Sequence, residues 1–192
     1  MRPLKSLNAT VQKTLVPSLT ESLIASHRWN GELRRRNISL PGQERPQIDF
    51  VDKDLRALDE RHGDMLVLSV FLDERPLEGL TGLVDWRLRG ALSKWFLGGF
   101  ATGAWGERVL YPIDARMSFS SILLFGLGNR TEHRADRALA VARAALESSA
   151  SLKAKTLTCG LFGLDELPSP LARTGRQLLE LLRGADELER IT

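Results

Sequence analysis

Cysteine is almost missing from this sequence, which holds only Cys159 among 192 residues. A lone thiol cannot form an internal disulfide, and it cannot supply a zinc site built from several thiolates. Because Cys159 lies in the apolar run 156–161, we predict that it is a buried small hydrophobic residue rather than a reactive group.

Long apolar runs are missing as well. The longest ones, 65–72 and 122–127, have the length of strands, whereas about 18 apolar residues are needed to span a bilayer. The sequence therefore predicts no transmembrane segment and no membrane partner. We expect a cytoplasmic protein.

Histidine is scarce, and the familiar catalytic patterns do not occur. His27, His62 and His133 stand far apart, without a His-Glu-x-x-His helix or a Gly-x-Ser-x-Gly elbow around them. We expect them to be surface residues. No catalytic residue, metal ligand or cofactor is predicted from these patterns.

Carboxylates border several of the predicted strands, where side chains often take part in catalysis. None of them has a neighbouring base, nucleophile or metal ligand in the sequence, so we interpret them as solvated loop charges. They are Asp64, Asp73, Glu74 and Asp114.

Positive charge is concentrated at the amino terminus. Residues 1–46 hold eight Lys/Arg and three Glu, a net charge of +5, whereas the other residues carry −2. The sequence thus predicts a basic, poorly ordered extension over 1–46 and one domain over 47–192. A disordered tail or a stretch upstream of the true start, an ordered interaction arm and a targeting peptide stay open for the extension. A near-neutral domain argues against nucleic acid, except through this extension.

Hydrophobic periodicity predicts alternating strands and helices. Strands are expected at 48–51, 65–71, 107–111, 120–125 and 156–161. Helices are expected at 52–61, 83–97, 132–149 and 170–183. The helix 83–97 carries an Asp85–Arg89 pair on its outer face, and Thr131 is expected to cap the helix 132–149. This order predicts an α/β fold, a three-layer α/β/α sandwich with a mixed, mostly parallel sheet.

One loop suggests ligand binding. Gly126-Leu127-Gly128 follows a predicted strand and precedes a predicted helix, where backbone amides could approach a phosphate. The predicted phosphate-type loop comprises Gly126, Gly128, Asn129 and Thr131. The third glycine of a dinucleotide fingerprint is absent, so a tight strand-to-helix turn is the alternative.

Tryptophan is clustered between residues 86 and 105. Trp95 falls on the buried stripe of the helix 83–97. For Trp86 and Trp105 two interpretations stay open, core packing and anchoring of a protein partner.

Several strings resemble the N-terminal domain of the M17 leucyl aminopeptidases in their order. They are the strand 64–71, the helix start Leu83-Val84-Asp85-Trp86, the segment Gly103-Ala104-Trp105-Gly106-Glu107 and the strand 122–128 before an Ala-rich helix. The resemblance covers about residues 47–184 and implies a macro-domain-like fold. It also implies that the two-metal catalytic machinery lies in a C-terminal domain whose motif does not occur here, so no catalytic residue can be carried over.

The chain stops at 188–192, where a last strand is expected to begin, so we expect either that the chain lacks this strand or that the sequence is truncated. Three functions follow as hypotheses. The first is a stand-alone, non-catalytic protein-interaction or regulatory module that binds a protein partner or itself. The alternatives are a domain for a small ADP-ribose- or nucleotide-like ligand, and an accessory part of a metallo-aminopeptidase.

Overall fold

A computed structural model describes residues 45–113, 117–167 and 171–192. Only residues 45 and 46 of the predicted basic extension 1–46 are among them. Asp114 lies outside the described residues. The strands are β1 (Gln47–Ile48), β2 (Gly63–Val70), β3 (Arg108–Pro112), β4 (Phe119–Gly126), β5 (Thr156–Cys159) and β6 (Arg190–Ile191). The helices are α1 (Leu55–Asp59), α2 (Gly79–Arg87), α3 (Ala91–Leu97), α4 (Ala135–Ser151) and α5 (Leu171–Arg183).

The six strands form one mixed sheet in the order β1-β6-β5-β2-β4-β3. Every pairing is parallel except that of β3 with β4, which is antiparallel. The predicted mixed, mostly parallel sheet is therefore confirmed. Parallel strands at its centre have to be covered on both faces, which is why β2 and β4 read as continuous apolar runs.

Helices cover both faces of the sheet. On β2, Met65 and Val67 face one hydrophobic cluster, whereas Leu66 and Leu68 face the other. The first cluster is completed by α4 and α5, and the second by α1, α2 and α3. The alternation of side chains along each strand thus creates two separate cores.

The predicted helix 83–97 is in fact two helices. Arg89 and Gly90 have left-handed backbone angles, with φ of 58° and 76°, and they separate α2 from α3. Asp85 accepts a hydrogen bond from Ser93 N at 3.0 Å, so it caps α3 and does not pair with Arg89. The buried stripe survives this break, since Leu92 remains fully buried in α3.

Two further expectations were wrong. Thr131 lies exposed in the short 3-10 turn Arg130–Glu132, and α4 begins only at Ala135 without a side-chain cap. The predicted lack of a last strand also fails, because β6 lies between β1 and β5. Thr192 N donates to Leu157 O at 2.7 Å, and Cys159 N donates to Thr192 O at 2.7 Å.

Candidate functional site

A cleft opens where neighbouring strands send their chains to opposite faces of the sheet. The chain leaves β2 toward α2 on one face, whereas it leaves β5 toward α5 on the other. The carboxyl ends of β2 and β5 therefore border a crevice, the position at which open α/β sheets hold ligands. Its volume is about 610 Å³, which suits a small organic molecule. We call it the strand-end cleft.

Four segments form most of the wall of this cleft, and Leu127, Arg130, Ile191 and Thr192 also line it. The four segments are the stretch from Ile48 into α1, the turn and start of α2 between Phe71 and Thr81, the loop after β5 from Gly160 to Glu166, and the inner face of α5. Most of the wall is apolar. Its aliphatic and aromatic side chains include Leu80, Phe162, Leu164, Leu178 and Leu179.

Arg130 ties the loops after three strands together. Its guanidinium contacts the Glu166 carboxylate closely, lies 3.8 Å from Glu74 and 4.0 Å from Glu78, and covers the ring of Phe71 at 4.7 Å. One cation thus partly neutralises three carboxylates, which come from the segments after β2 and β5. Arg130 follows β4, so the parallel sheet brings the three loops to one edge.

Glu74 is buried and not a solvated loop charge as predicted. Its carboxylate accepts hydrogen bonds from Phe71 N at 3.1 Å and from Glu78 N at 2.9 Å. These bonds close the turn between β2 and α2. The turn holds the amino end of α2 against the cleft, where its first amides contribute a partial positive charge.

Lys53 spans the mouth of the cleft. Its ammonium lies 3.3 Å from Asp165, which connects the segment before α1 to the turn after β5. Glu166 lies beside Asp165, and burial raises the pKa of Glu166. The guanidinium of Arg130 opposes that rise, whereas Asp165 and Glu74 add to it.

The predicted phosphate-type loop lies beside the cleft and is used by the fold itself. Gly126 N, Leu127 N and Gly128 N donate to the carbonyls of Glu107, Val70 and Gly103 at 2.9 Å each. Asn129 is half-buried with its amide 3.4 Å from Glu132, and Thr131 is exposed. The phosphate-binding role of Gly126, Gly128, Asn129 and Thr131 stays a prediction and is not part of the site described above.

The other two strand-end aspartates also have structural contacts. Asp64 accepts hydrogen bonds from Lys155 N at 2.7 Å and from Thr156 N at 3.0 Å, which join β2 to the start of β5. The Lys155 amide lowers the pKa of Asp64 despite partial burial, and Thr156 adds to this. Asp73 accepts a bond from Arg130 N at 3.1 Å. Asp73 is an exposed loop residue, as predicted, whereas Asp64 is half-buried within β2 and is therefore not the solvated loop charge that was expected.

Cys159 lines the cleft at the end of β5. Burial raises the pKa of its thiol to about 12, so the thiolate is essentially absent at neutral pH. Its side chain packs against the first hydrophobic cluster as a small apolar residue, but it is half-buried and not buried as predicted. Among the residues that the structure describes, no group of three or more His, Cys, Asp or Glu could hold a metal ion. The described helices include none long and apolar enough to cross a membrane.

His133 is buried beneath the cleft wall, although a surface position was predicted. Its Nε2 lies 3.1 Å from Phe162 O and its ring meets that of Phe71 edge-on at 5.0 Å. Since a carbonyl only accepts, Nε2 carries the hydrogen and Nδ1 is bare. Nδ1 has no hydrogen-bond partner among the described residues. Burial lowers the pKa of His133, and the Phe162 carbonyl opposes this.

His133 should make the stability of the protein pH-dependent. Because its folded pKa is lowered, the unfolded chain takes up the proton first as the pH falls below about 6.5. The free energy of unfolding should then decrease between pH 7.5 and pH 5. Urea titrations at several pH values should show a smaller slope for His133→Gln. The exposed His62 supplies the control His62→Gln, and equal slopes for wild type and His133→Gln would contradict the account.

The fold and the cleft define an α/β domain with a candidate ligand site at the carboxyl ends of its parallel strands. Residues 67–186 match the sequence model of the cytosol aminopeptidase family, N-terminal domain, and the chain belongs to this family. The predicted family resemblance is confirmed. No curated protein matches the sequence.

Solved structures share the fold at low identity. A mutant of tomato leucine aminopeptidase is 18% identical with a TM-score of 0.56, over 84% of this chain and 35% of the tomato chain. The macrodomain of Mycobacterium tuberculosis DarG is 13% identical with a TM-score of 0.54, over 76% and 96% of the two chains. That of Thermus aquaticus DarG is 15% identical with a TM-score of 0.55, over 76% and 95%. The chain thus spans about a third of the tomato enzyme, and the predicted macro-domain-like fold is confirmed.

Sequence reasoning missed most of the residues that line the cleft. The sequence did not indicate a role for Lys53, Asp165 or Glu166, because these residues form no local motif. A usable signal existed, since the segments after β2, β4 and β5 all carry charged residues at the carboxyl ends of parallel strands. The pairing order of the strands was needed to bring these segments together.

Proposed function

We propose that the chain is a non-catalytic binding domain that holds a small organic ligand in the strand-end cleft. The observation that carries this proposal is a cleft of about 610 Å³ at the junction of β2 and β5, where the chain connections diverge. Its wall combines a large apolar surface with a few charged groups, the usual composition of a small-molecule site.

Amide chemical shifts of the full chain test this proposal. A panel of small amines, carboxylates and nucleotides at millimolar concentration should shift the amides of Gly160–Gly163 and Glu78–Thr81 for at least one compound. Gly160 lines the cleft, and a Cβ on it would lie 3.7 Å from Leu80 Cδ2, so Gly160→Leu should narrow the site and weaken binding. A panel that leaves all cleft amides unmoved would overturn the proposal.

A second candidate function is self-association through the edge strand β3. Ile113 N donates to Ser120 O and Gly126 N to Glu107 O, so the backbone groups of Arg108 and Leu110 point away from β4. No described strand pairs with this outer edge. The strand carries the exposed Leu110 and Tyr111, and the exposed Phe100 packs on Trp95, which also contacts Tyr111. Two copies could pair these edges antiparallel about a twofold axis.

Light scattering after size exclusion would measure this association. We expect a dimer for the wild type and a monomer for Leu110→Lys, because a charge beside the edge opposes strand pairing. The control Leu152→Lys changes an exposed leucine at the end of α4, away from β3, and should keep the dimer. A wild-type monomer at high micromolar concentration argues against this candidate.

The cytoplasmic location stays a prediction.

A further inference from the structure

We infer that the strand-end cleft selects a cationic ligand with an apolar body, an organic amine, and rejects phosphate-bearing anions. This inference rests on the proposed function and names the chemical class of its ligand.

Negative charge exceeds positive charge in the wall of the cleft. Three basic side chains line it, Lys53, Arg61 and Arg130. Seven acidic side chains line it, Asp49, Asp52, Asp54, Glu74, Glu78, Asp165 and Glu166. The formal surplus among these lining residues is four negative charges, and Arg190, which is not part of the wall but lies 3.8 Å from Asp49, offsets one of them. The amino end of α2 offsets only about half a charge of this surplus.

Each of the three cations is already engaged with a carboxylate. Lys53 lies 3.3 Å from Asp165 and Arg61 lies 4.0 Å from Asp49. Arg130 contacts Glu166 and faces two more glutamates. A phosphate would have to displace one of these carboxylates from its cation and would still meet the remaining negative surplus.

A cationic ligand, in contrast, would find carboxylates in the same wall that are weakly paired or unpaired among the described residues. Glu78 is exposed and lies no nearer than 4.0 Å to its cation, Arg130. Asp52 is exposed and forms no ion pair among the described residues. Crowding by Asp165 and Glu74 also raises the pKa of Glu166, after burial itself, and a bound ammonium would relieve this crowding.

The apolar wall sets the second requirement. Leu80 from α2 and Leu178 and Leu179 from α5 line the same cavity as the carboxylates. Burial of a hydrocarbon body against these side chains contributes affinity in proportion to the apolar area removed from water. The ammonium then decides which of several apolar molecules binds.

Three probes with the same apolar body separate these alternatives. They are 2-phenylethylamine, 2-phenylethanol and 3-phenylpropanoate, with ADP as the phosphate-bearing anion. In titrations of the full chain followed by amide shifts, we expect the amine to bind about ten-fold more tightly than the alcohol. The carboxylate and ADP should not saturate at 10 mM. Added salt should weaken only the amine.

Charge variants connect the preference to the cleft. Glu78→Gln and Asp52→Asn should each weaken amine binding, by up to about five-fold at contact distance, and leave the alcohol unchanged. Glu147→Gln changes an exposed carboxylate on α4 outside the cleft and should leave all affinities as in the wild type. Circular dichroism checks that each variant is folded.

The outcomes separate this inference from the proposed function. Saturable shifts of cleft amides with ADP or the carboxylate, and none with the amine, would overturn the inference and leave the proposed function standing. Equal affinity for amine and alcohol would overturn it too. Cleft amides that respond to none of the four probes would count against both.

Discussion

Gly126→Ala should destabilise the protein by about 3 kcal/mol, the upper end of the usual cost of overpacking, because the added methyl group has no space. A Cβ at Gly126 would collide with the Ala104 carbonyl oxygen and lie 2.7 Å from Gly103 C. These are backbone atoms, and they cannot rotate away. The segment is held in place by Gly103 N and Thr102 N, which donate to the Glu107 carboxylate.

Urea unfolding followed by circular dichroism would measure this loss. The matched control is Gly160→Ala, because a Cβ there would make only an ordinary contact with Leu80 Cδ2 at 3.7 Å. That variant should stay within about 0.5 kcal/mol of the wild type. A Gly126→Ala protein as stable as the control would show that the stability of the fold does not depend on the close approach of residues 103–104 to β4.

Glu74→Ala should cost about 2–4 kcal/mol of stability. The substitution leaves the amide of the buried Phe71 and that of Glu78 without their acceptor, and an unsatisfied buried amide costs about 1–3 kcal/mol. It also removes one carboxylate from Arg130. The turn that starts α2 should then open, so amide exchange at Glu78–Thr81 should accelerate with the loss of stability.

Two variants isolate the role of the Glu74 hydrogen bonds. Glu74→Gln keeps one acceptor oxygen, so it should lose roughly half as much stability as Glu74→Ala. Glu78→Ala removes an exposed side chain that makes no capping bond, and its effect should stay within about 0.5 kcal/mol. If all three variants unfold at the same urea concentration as the wild type, the turn does not depend on this carboxylate.

The charged groups of the cleft show which features of the site local sequence patterns can predict. Asp73 and Glu74 were recognised as strand-end carboxylates, but their local sequence gives no sign that Arg130 N reaches Asp73 or that Glu74 is buried. Arg130 lies over 50 residues further along the chain. Only the parallel pairing of β2 with β4 brings these groups together, and such pairing is not encoded in spacing along the chain.

The sequence by itself determined the layers of this protein. The sheet has to be covered on both faces because β2 and β4 are continuous apolar runs and α4 carries an apolar stripe. Removing such side chains from water lowers the free energy of the folded state. The tertiary structure alone decided the break at Gly90, the burial of His133 and the opening of the cleft. Each of these depends on which distant segments become neighbours, and periodicity within one element carries no information about that.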